Sequence, residues 1–166
     1  PSAQMLFLYF IYNGAQELST SQAAQDLDLT PTSISRASKQ LEKMELLHTK
    51  KEGVQKILFS GEAPKILFEN AKKQLVNTIK RTVYIPKELI GKELIESGYS
   101  ALAEYSMLNA PNMKCYASEK ISQWKGSATN TLYDSKMQVT VEMWRYNPCK
   151  LSKGSVVDEL SLALSL

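Results

Sequence analysis

Thr30-Pro31-Thr32-Ser33-Ile34-Ser35-Arg36-Ala37-Ser38-Lys39-Gln40-Leu41-Glu42-Lys43-Met44 is the stretch on which the reading of this chain turns. Threonine followed by proline opens a helix: the hydroxyl accepts from an early backbone N–H, and proline at the first helical position lacks only a donor that would go unused there. From Pro31 to about Leu46, Ile34, Ala37, Leu41 and Met44 recur at helical spacing and define an apolar face. At about 100° per residue the opposite face carries Thr32, Ser35, Arg36, Lys39 and Lys43, with no acid among them, and Ser33 adds a hydroxyl in the first turn. An ordinary surface helix interleaves Glu with Lys. Short hydroxyls at a helix start and long cations further along suit entry into a major groove. There Thr and Ser reach base edges or phosphates, and Arg holds guanine through two hydrogen bonds.

Upstream, Ala3–Asn13 reads as a buried first helix, with Met5, Leu6, Leu8, Tyr9 and Ile11 available for burial and Asn13-Gly14 as its stop. Ser19 and Gln22 have the spacing of a capping box that opens a short helix to about Leu27, and Asp28-Leu29 makes a brief turn. Downstream, Leu47–Lys51 and Val54–Ser60 flank Glu52-Gly53 and read as a β-hairpin whose tip, Lys50 to Lys56, holds three lysines and one acid. His48 falls at its base. From Glu62 to Arg81, Ile66, Leu67, Ala71, Leu75 and Ile79 suggest a further helix, broken at Tyr84-Ile85-Pro86. The domain boundary is expected there, giving domains over 1–84 and 85–166.

The formal net charge of +3 hides an uneven distribution. Residues 1–29 hold three acids and no Lys or Arg, residues 30–81 hold eleven Lys/Arg against five acids, and residues 82–166 hold nine of each. Concentrated positive charge is what a segment meeting a polyanion needs, and equally what a solvated basic face looks like. The apolar stretch Met5–Tyr12 is too short to span a bilayer and lacks a basic flank, so neither a membrane span nor a signal peptide is expected. A chain opening on Pro1 is expected to be processed or trimmed. Cys115 and Cys149 stand far apart without a CxxC spacing, which suits reduced thiols and a cytoplasmic setting. With His48 the only histidine, no metal cluster or Cys–His pair is expected, and no phosphate-binding, nucleophile-elbow or HExxH motif is present. The expectation is therefore a protein that is not an enzyme and needs no metal or cofactor.

In the second half, Tyr99–Leu108 is expected to be a helix begun by Gly98 and Ser100, and Met113–Ala117 a strand after the Asn109–Asn112 turn. Gln138–Tyr146 alternates Val139, Val141 and Met143 with polar neighbours, the pattern of a half-buried strand ended by Asn147-Pro148. Val156–Asp158 leads into a short helix over Leu160, Leu162, Leu164 and Leu166, whose two-residue spacing leaves a strand open. Glu88, Glu93, Glu96 and Glu104 read as solvated surface. Trp144 and Tyr146 read as core or as the wall of a ligand cavity.

Helix, helix, short turn, basic helix and basic hairpin, in that order over residues 3–81, resemble the winged helix-turn-helix domains of bacterial regulators, including those of the MarR type. Ala24, Asp28, Ile34 and Ala37 match the small, turn and core positions of that motif, with Asp28 where glycine is frequent. Ser97–Tyr105, Trp144–Pro148 and Val156–Leu162 resemble the C-terminal domain of AbiEi-type antitoxins. The fold expected is α+β, an N-terminal winged helix-turn-helix domain followed by a small mixed α/β C-terminal domain. The function expected is a sequence-specific DNA-binding transcriptional regulator acting as a repressor. Thr32, Ser35 and Arg36 would read bases, Ser33 would join them in the DNA-binding set, and Lys39, Lys43, Lys50, Lys51 and Lys56 would lie against the phosphates of double-stranded DNA. The antitoxin resemblance implies autorepression and a nucleotidyltransferase toxin as protein partner. An effector-sensing regulator with a site near Trp144 is the other alternative. A homodimer on two half-sites and a monomer on inverted repeats both remain open.

Overall fold

A computed structural model describes residues 1–14, 16–91, 93–124 and 126–166, which form two compact units, Pro1–Leu75 and Val76–Leu166. Among the described residues there are six α-helices and two β-sheets, a mixed α+β composition. Numbered in chain order, the first unit holds α1 (Ser2–Asn13), β1 (Glu17–Ser19), α2 (Thr20–Leu27), α3 (Pro31–Lys43), β2 (His48–Glu52), β3 (Gln55–Phe59) and α4 (Pro64–Ala71). The second holds β4 (Ile79–Pro86), β5 (Ile95–Glu96), α5 (Gly98–Tyr105), β6 (Cys115–Ser118), β7 (Gln138–Trp144) and α6 (Glu159–Ser165).

α1 is apolar nearly all round and is buried accordingly: Ala3, Met5, Leu6, Phe7, Leu8 and Phe10 lie inside, while Tyr9 and Ile11 stay half-buried. Gly14 ends it in the left-handed conformation that only glycine adopts without cost. The Tyr9 hydroxyl donates to Asp26 of α2. Ser19 does occupy the N-cap of α2, but its side chain makes no cap bond, and the Gln22 amide donates to Asp26 Oδ1 at 2.9 Å rather than reaching back. The capping box expected from the spacing is thus not formed. The Thr20 hydroxyl instead donates to the Lys56 carbonyl at 3.1 Å, tying α2 to β3.

The turn between α2 and α3 is a Schellman closure. Leu29 N–H bonds the Ala24 carbonyl at 2.9 Å and Asp28 N–H the Gln25 carbonyl at 3.3 Å, with Asp28 at φ 55°. Aspartate tolerates this region better than most side chains, so the absent glycine does not prevent the turn. Thr30 then caps α3 as expected, accepting from Ser33 N–H at 3.1 Å. α3 ends earlier than its apolar spacing suggests. Leu46 N–H bonds the Leu41 carbonyl and Glu45 N–H the Glu42 carbonyl, both at 3.0 Å, with Glu45 at φ 60°. The buried pair Leu41 and Leu46 closes this second Schellman motif, which no glycine announces.

β3 lies between β1 and β2 in an antiparallel sheet. Glu52 pairs with Gln55, leaving Gly53 and Val54 as a two-residue loop with Gly53 at φ 64°, the demand of a hairpin with glycine first. β1 was not anticipated, since three residues are too few to show a period.

The expected helix over 62–81 is only partly found: α4 ends at Ala71, and Ile79 to Arg81 belong to β4. Ile79, Thr82, Val83, Tyr84 and Ile85 are β-branched or aromatic and favour a strand, and β4 runs antiparallel along β7 from Ile79–Trp144 to Pro86–Gln138. The unit boundary therefore falls between Leu75 and Val76 rather than at 84/85. The second sheet has the order β4-β7-β6-β5, with β6 parallel to β7 and the other pairs antiparallel. Val139, Val141 and Met143 pack on one face with Val83, Ile85, Tyr116 and Trp124. The other face of β7 is covered as well, because Gln138, Glu142 and Trp144 are also buried, so β7 is a central strand and not a half-buried one. α6 resolves the ambiguous leucine spacing as a helix, capped by Asp158 accepting from Ser161 N–H at 3.0 Å.

A left-handed residue other than glycine costs about 1–2 kcal/mol, offset by about 0.5–1 kcal/mol of glycine's extra chain entropy. Glu45 is exposed, so Glu45→Gly is expected to stabilise the first unit by about 0.5–1 kcal/mol. Urea denaturation followed by circular dichroism would show it as a higher midpoint, and a lower midpoint would contradict the Schellman closure at Glu45.

Candidate nucleic-acid interface

α3 buries Ile34, Ala37, Ser38 and Leu41 and leaves Thr32, Arg36, Lys39 and Lys43 exposed, with Ser33 and Ser35 half-buried. Ser38, whose hydroxyl a helix interior would otherwise strand, donates to the Ile34 carbonyl at 2.8 Å. Ser33 is bound up in the cap, its Oγ 3.0 Å from Thr30 Oγ1, so its hydroxyl is less free than that of Thr32. Glu42 flanks the cationic face but turns away from it, its Oε2 accepting from Thr49 Oγ1 of β2 at 3.0 Å. Gln40, exposed and one turn beyond Arg36, belongs with this surface and was missed. Its amide, able to donate and accept, was the available signal.

The Thr49–Glu42 bond also says which face of the hairpin meets α3. Side chains alternate along a strand, so Lys51 projects on the same face as Thr49. Lys56 is the direct cross-strand partner of Lys51 and shares that face with the buried Leu58. Lys56 and Ser35 line one groove of about 580 Å³ between α2, α3 and β3, together with Gln25, Asp28 and Pro31. Arg36, Lys39, Lys43, Lys51 and Lys56 form no ion pair with any described residue.

Lys50 differs. It projects from the opposite face, where its ammonium pairs with Glu17 and, at 3.3 Å, with Glu52, and it lies 5.3 Å from the centre of the Phe59 ring. Hydrogen bonding to Glu17 holds that ammonium above its ordinary value, aided by Glu52. The structure thus brings four of the five expected phosphate-contacting lysines to the α3 side and not the fifth. His48 stands on the Lys50 face, exposed and 5.5 Å from the Phe59 ring centre. With the boundary after Leu75, the first unit holds nine Lys/Arg and eight acids, so its positive character is local to this surface and not general.

In the second unit Trp144 is fully buried, 5.9 Å edge-on from Tyr146, and belongs to the core. Its indole N–H donates to Glu142 Oε2 at 3.1 Å, and Ser97 Oγ donates to the same oxygen at 2.6 Å. Alternation along β7 gives Glu142 the sequence pattern of a solvent-facing residue, although it is buried. Among the described residues no group of three or more His, Cys, Asp or Glu is arranged to hold a metal ion, and no helix is long and apolar enough to cross a membrane. Comparison with protein families, with characterised proteins and with solved structures finds no match.

Both cysteines are free. Cys115 is held protonated well above the usual thiol value, first by burial and then by the charge of Glu142, whereas exposed Cys149 is raised by burial against the opposing influence of Lys150. Alkylation with iodoacetamide at pH 8 is expected to label Cys149 and to spare Cys115 until the chain is denatured, as read by peptide mass spectrometry. Because the folded Cys115 thiol lies above its unfolded value of 9.0, its contribution to stability is whole below that pH and falls as pH rises past it. Equal labelling of both thiols in the native protein would contradict this hold on the Cys115 proton.

Proposed function

We propose that this protein is a sequence-specific DNA-binding transcriptional regulator, its first unit acting as a winged helix-turn-helix with α3 in the major groove and the β2–β3 hairpin as the wing beside it. The observation that carries the reading is the set of five cations, Arg36, Lys39, Lys43, Lys51 and Lys56, that face outward from α3 or from the hairpin face it meets, none paired with an acid among the described residues. Lys51 directly opposite Lys56 is a like-charged cross-strand pair, unfavourable by itself and relieved by an anion between or beside the two. Phosphate contacts from the lysines supply affinity. Thr32, Ser35, Arg36 and Gln40 supply base contacts, Arg36 to guanine and Gln40 to adenine. Repression follows if the bound site overlaps a promoter.

A second reading concerns the other unit. Tyr99, Met107, Leu108, Tyr133 and Met137 are exposed there, and a protein partner would bury those of them that adjoin in one patch. This is the observation that keeps the antitoxin alternative, with a nucleotidyltransferase toxin as partner.

The operator is found by selecting bound sequences from random duplexes. On that operator Arg36→Ala is expected to lose about 1–3 kcal/mol while binding to random DNA changes little. Equal losses on both would remove Arg36 from base reading. Lys51→Ala and Lys56→Ala are each expected to weaken binding to both DNAs and to reduce the slope of log K against log salt by about 0.9. Lys50→Ala, already neutralised by Glu17 and Glu52, is expected to change that slope least. A full-sized effect at Lys50, or none at Lys51 and Lys56, would mean that the other hairpin face meets the DNA.

A further inference from the structure

Glu142 sits in the central strand of the second sheet and is 8% exposed. A buried carboxylate is costly unless its charge is met, and among the described residues it is met by neutral donors. Ser97 Oγ and Trp144 Nε1 both donate to Oε2. Oε1 receives only the Cys115 thiol, at 3.4 Å, and a thiol is a weak donor. No Lys or Arg among the described residues pairs with Glu142, and Lys114, one residue from Cys115, is engaged with Glu96 at 2.8 Å. Burial and the neighbouring carboxylate keep the Cys115 proton on sulfur, so the thiol adds no second negative charge beside Glu142.

Glu142 and Cys115 line a cavity of about 390 Å³ whose other walls include Tyr99, Pro111, Met113 and Leu166. That volume lies within the roughly 300–1,000 Å³ range of small-ligand sites. Gly98, at φ +54°, borders the same cavity. A Cβ on it would stand 3.1 Å from Glu142 Oε1 and 3.0 Å from Cys115 Sγ, so glycine at this position leaves the two polar atoms uncovered. The combination is a negative floor beneath apolar walls, with Tyr99 largely exposed beside it.

We propose that this cavity binds a small organic ammonium, a primary amine carrying an apolar body, with the N–H groups donating to Glu142 Oε1 and the body against Met113, Pro111 and the Tyr99 ring. The ammonium supplies the charge that the described residues leave out, and an aromatic face adds attraction for a cation. An anionic ligand of the same shape is excluded by the same carboxylate. The site lies wholly within the second unit and stands or falls independently of DNA binding.

The full chain is titrated with phenethylamine at neutral pH by calorimetry, with tryptophan fluorescence in parallel because Trp144 is bonded to Glu142. One-site saturable binding is expected, at least tenfold weaker for 2-phenylethanol, which has the shape without the charge, and absent for 3-phenylpropionate. Glu142→Gln keeps an acceptor for Ser97 and Trp144 and is expected to lose at least tenfold in amine affinity with a cooperative melt retained. Tyr99→Ala, at a 68% exposed position, is expected to weaken binding several-fold without disturbing the fold. The proposal is overturned if phenethylamine does not saturate, if the alcohol binds as well as the amine, or if Glu142→Gln binds it unchanged. Should Glu142→Gln fail to fold, the amine-to-alcohol ratio and Tyr99→Ala decide the matter.

Discussion

Leu58 is the residue on which the first unit's surface depends. It is fully buried in the middle strand of the first sheet, opposite Leu18 on one side and Thr49 on the other. Because side chains alternate strictly along a strand, the direction of Leu58 fixes that of every neighbour, with Ile57 buried on the opposite face, and a slip of one residue would exchange the two faces. With Leu58 inward, Lys56 and Lys51 fall on the side of α3, and Lys50 falls on the side of Glu17. The Thr49–Glu42 bond holds α3 to that same register. One apolar side chain thus sorts the hairpin's lysines into two that are free and one that is neutralised.

The same dependence explains what could be read from the letters alone. α3 was legible because three independent signals agreed on it: the Thr30 cap, Pro31, and the spacing of Ile34, Ala37 and Leu41. Its end was not, since Glu45 adopts a left-handed conformation without being glycine or asparagine, and only the tertiary burial of Leu46 against Leu41 enforces it. The hairpin was legible from Gly53, yet the difference between Lys50 and Lys51 was not. That difference is set by β1, whose three residues show no period, and by an ion pair to Glu17, 33 residues away in sequence. β4 was misread as helix because Ile79 continued a helical spacing by chance, and its true partner, β7, lies some 60 positions downstream.

In the second unit the limit was of another kind. Val139, Val141 and Met143 alternate with Thr140, Glu142 and Trp144, and alternation ordinarily means one wet face. Here the polar side of β7 is covered too, so a glutamate that looks like surface is held inside by Ser97 and Trp144. Nothing local distinguishes such a glutamate from an exposed one. The distinction comes from α5 beginning at Gly98 directly beside Glu142, a contact between positions more than forty residues apart.

The near-neutral first unit bears on the kind of DNA recognition that the proposed function would require. A strongly basic domain draws DNA from a distance through its net field, but nine cations against eight acids give little such field. At physiological salt charges beyond about 8 Å are largely screened, so the distant acids hardly weaken the α3 surface, and the distant lysines hardly strengthen it. What remains is the short-range arrangement. Glu17 and Glu52 take Lys50 out of play, Thr49 draws Glu42 aside, and five cations are left on one side. As the proposed DNA interface, such an arrangement would gain little from non-specific attraction, and a larger share of its binding would come from contacts made in register, Arg36 and Gln40 against bases and Lys51 with Lys56 against phosphate. Such a surface would discriminate well at modest affinity, the balance that the proposed regulator would need in order to leave most of the genome alone.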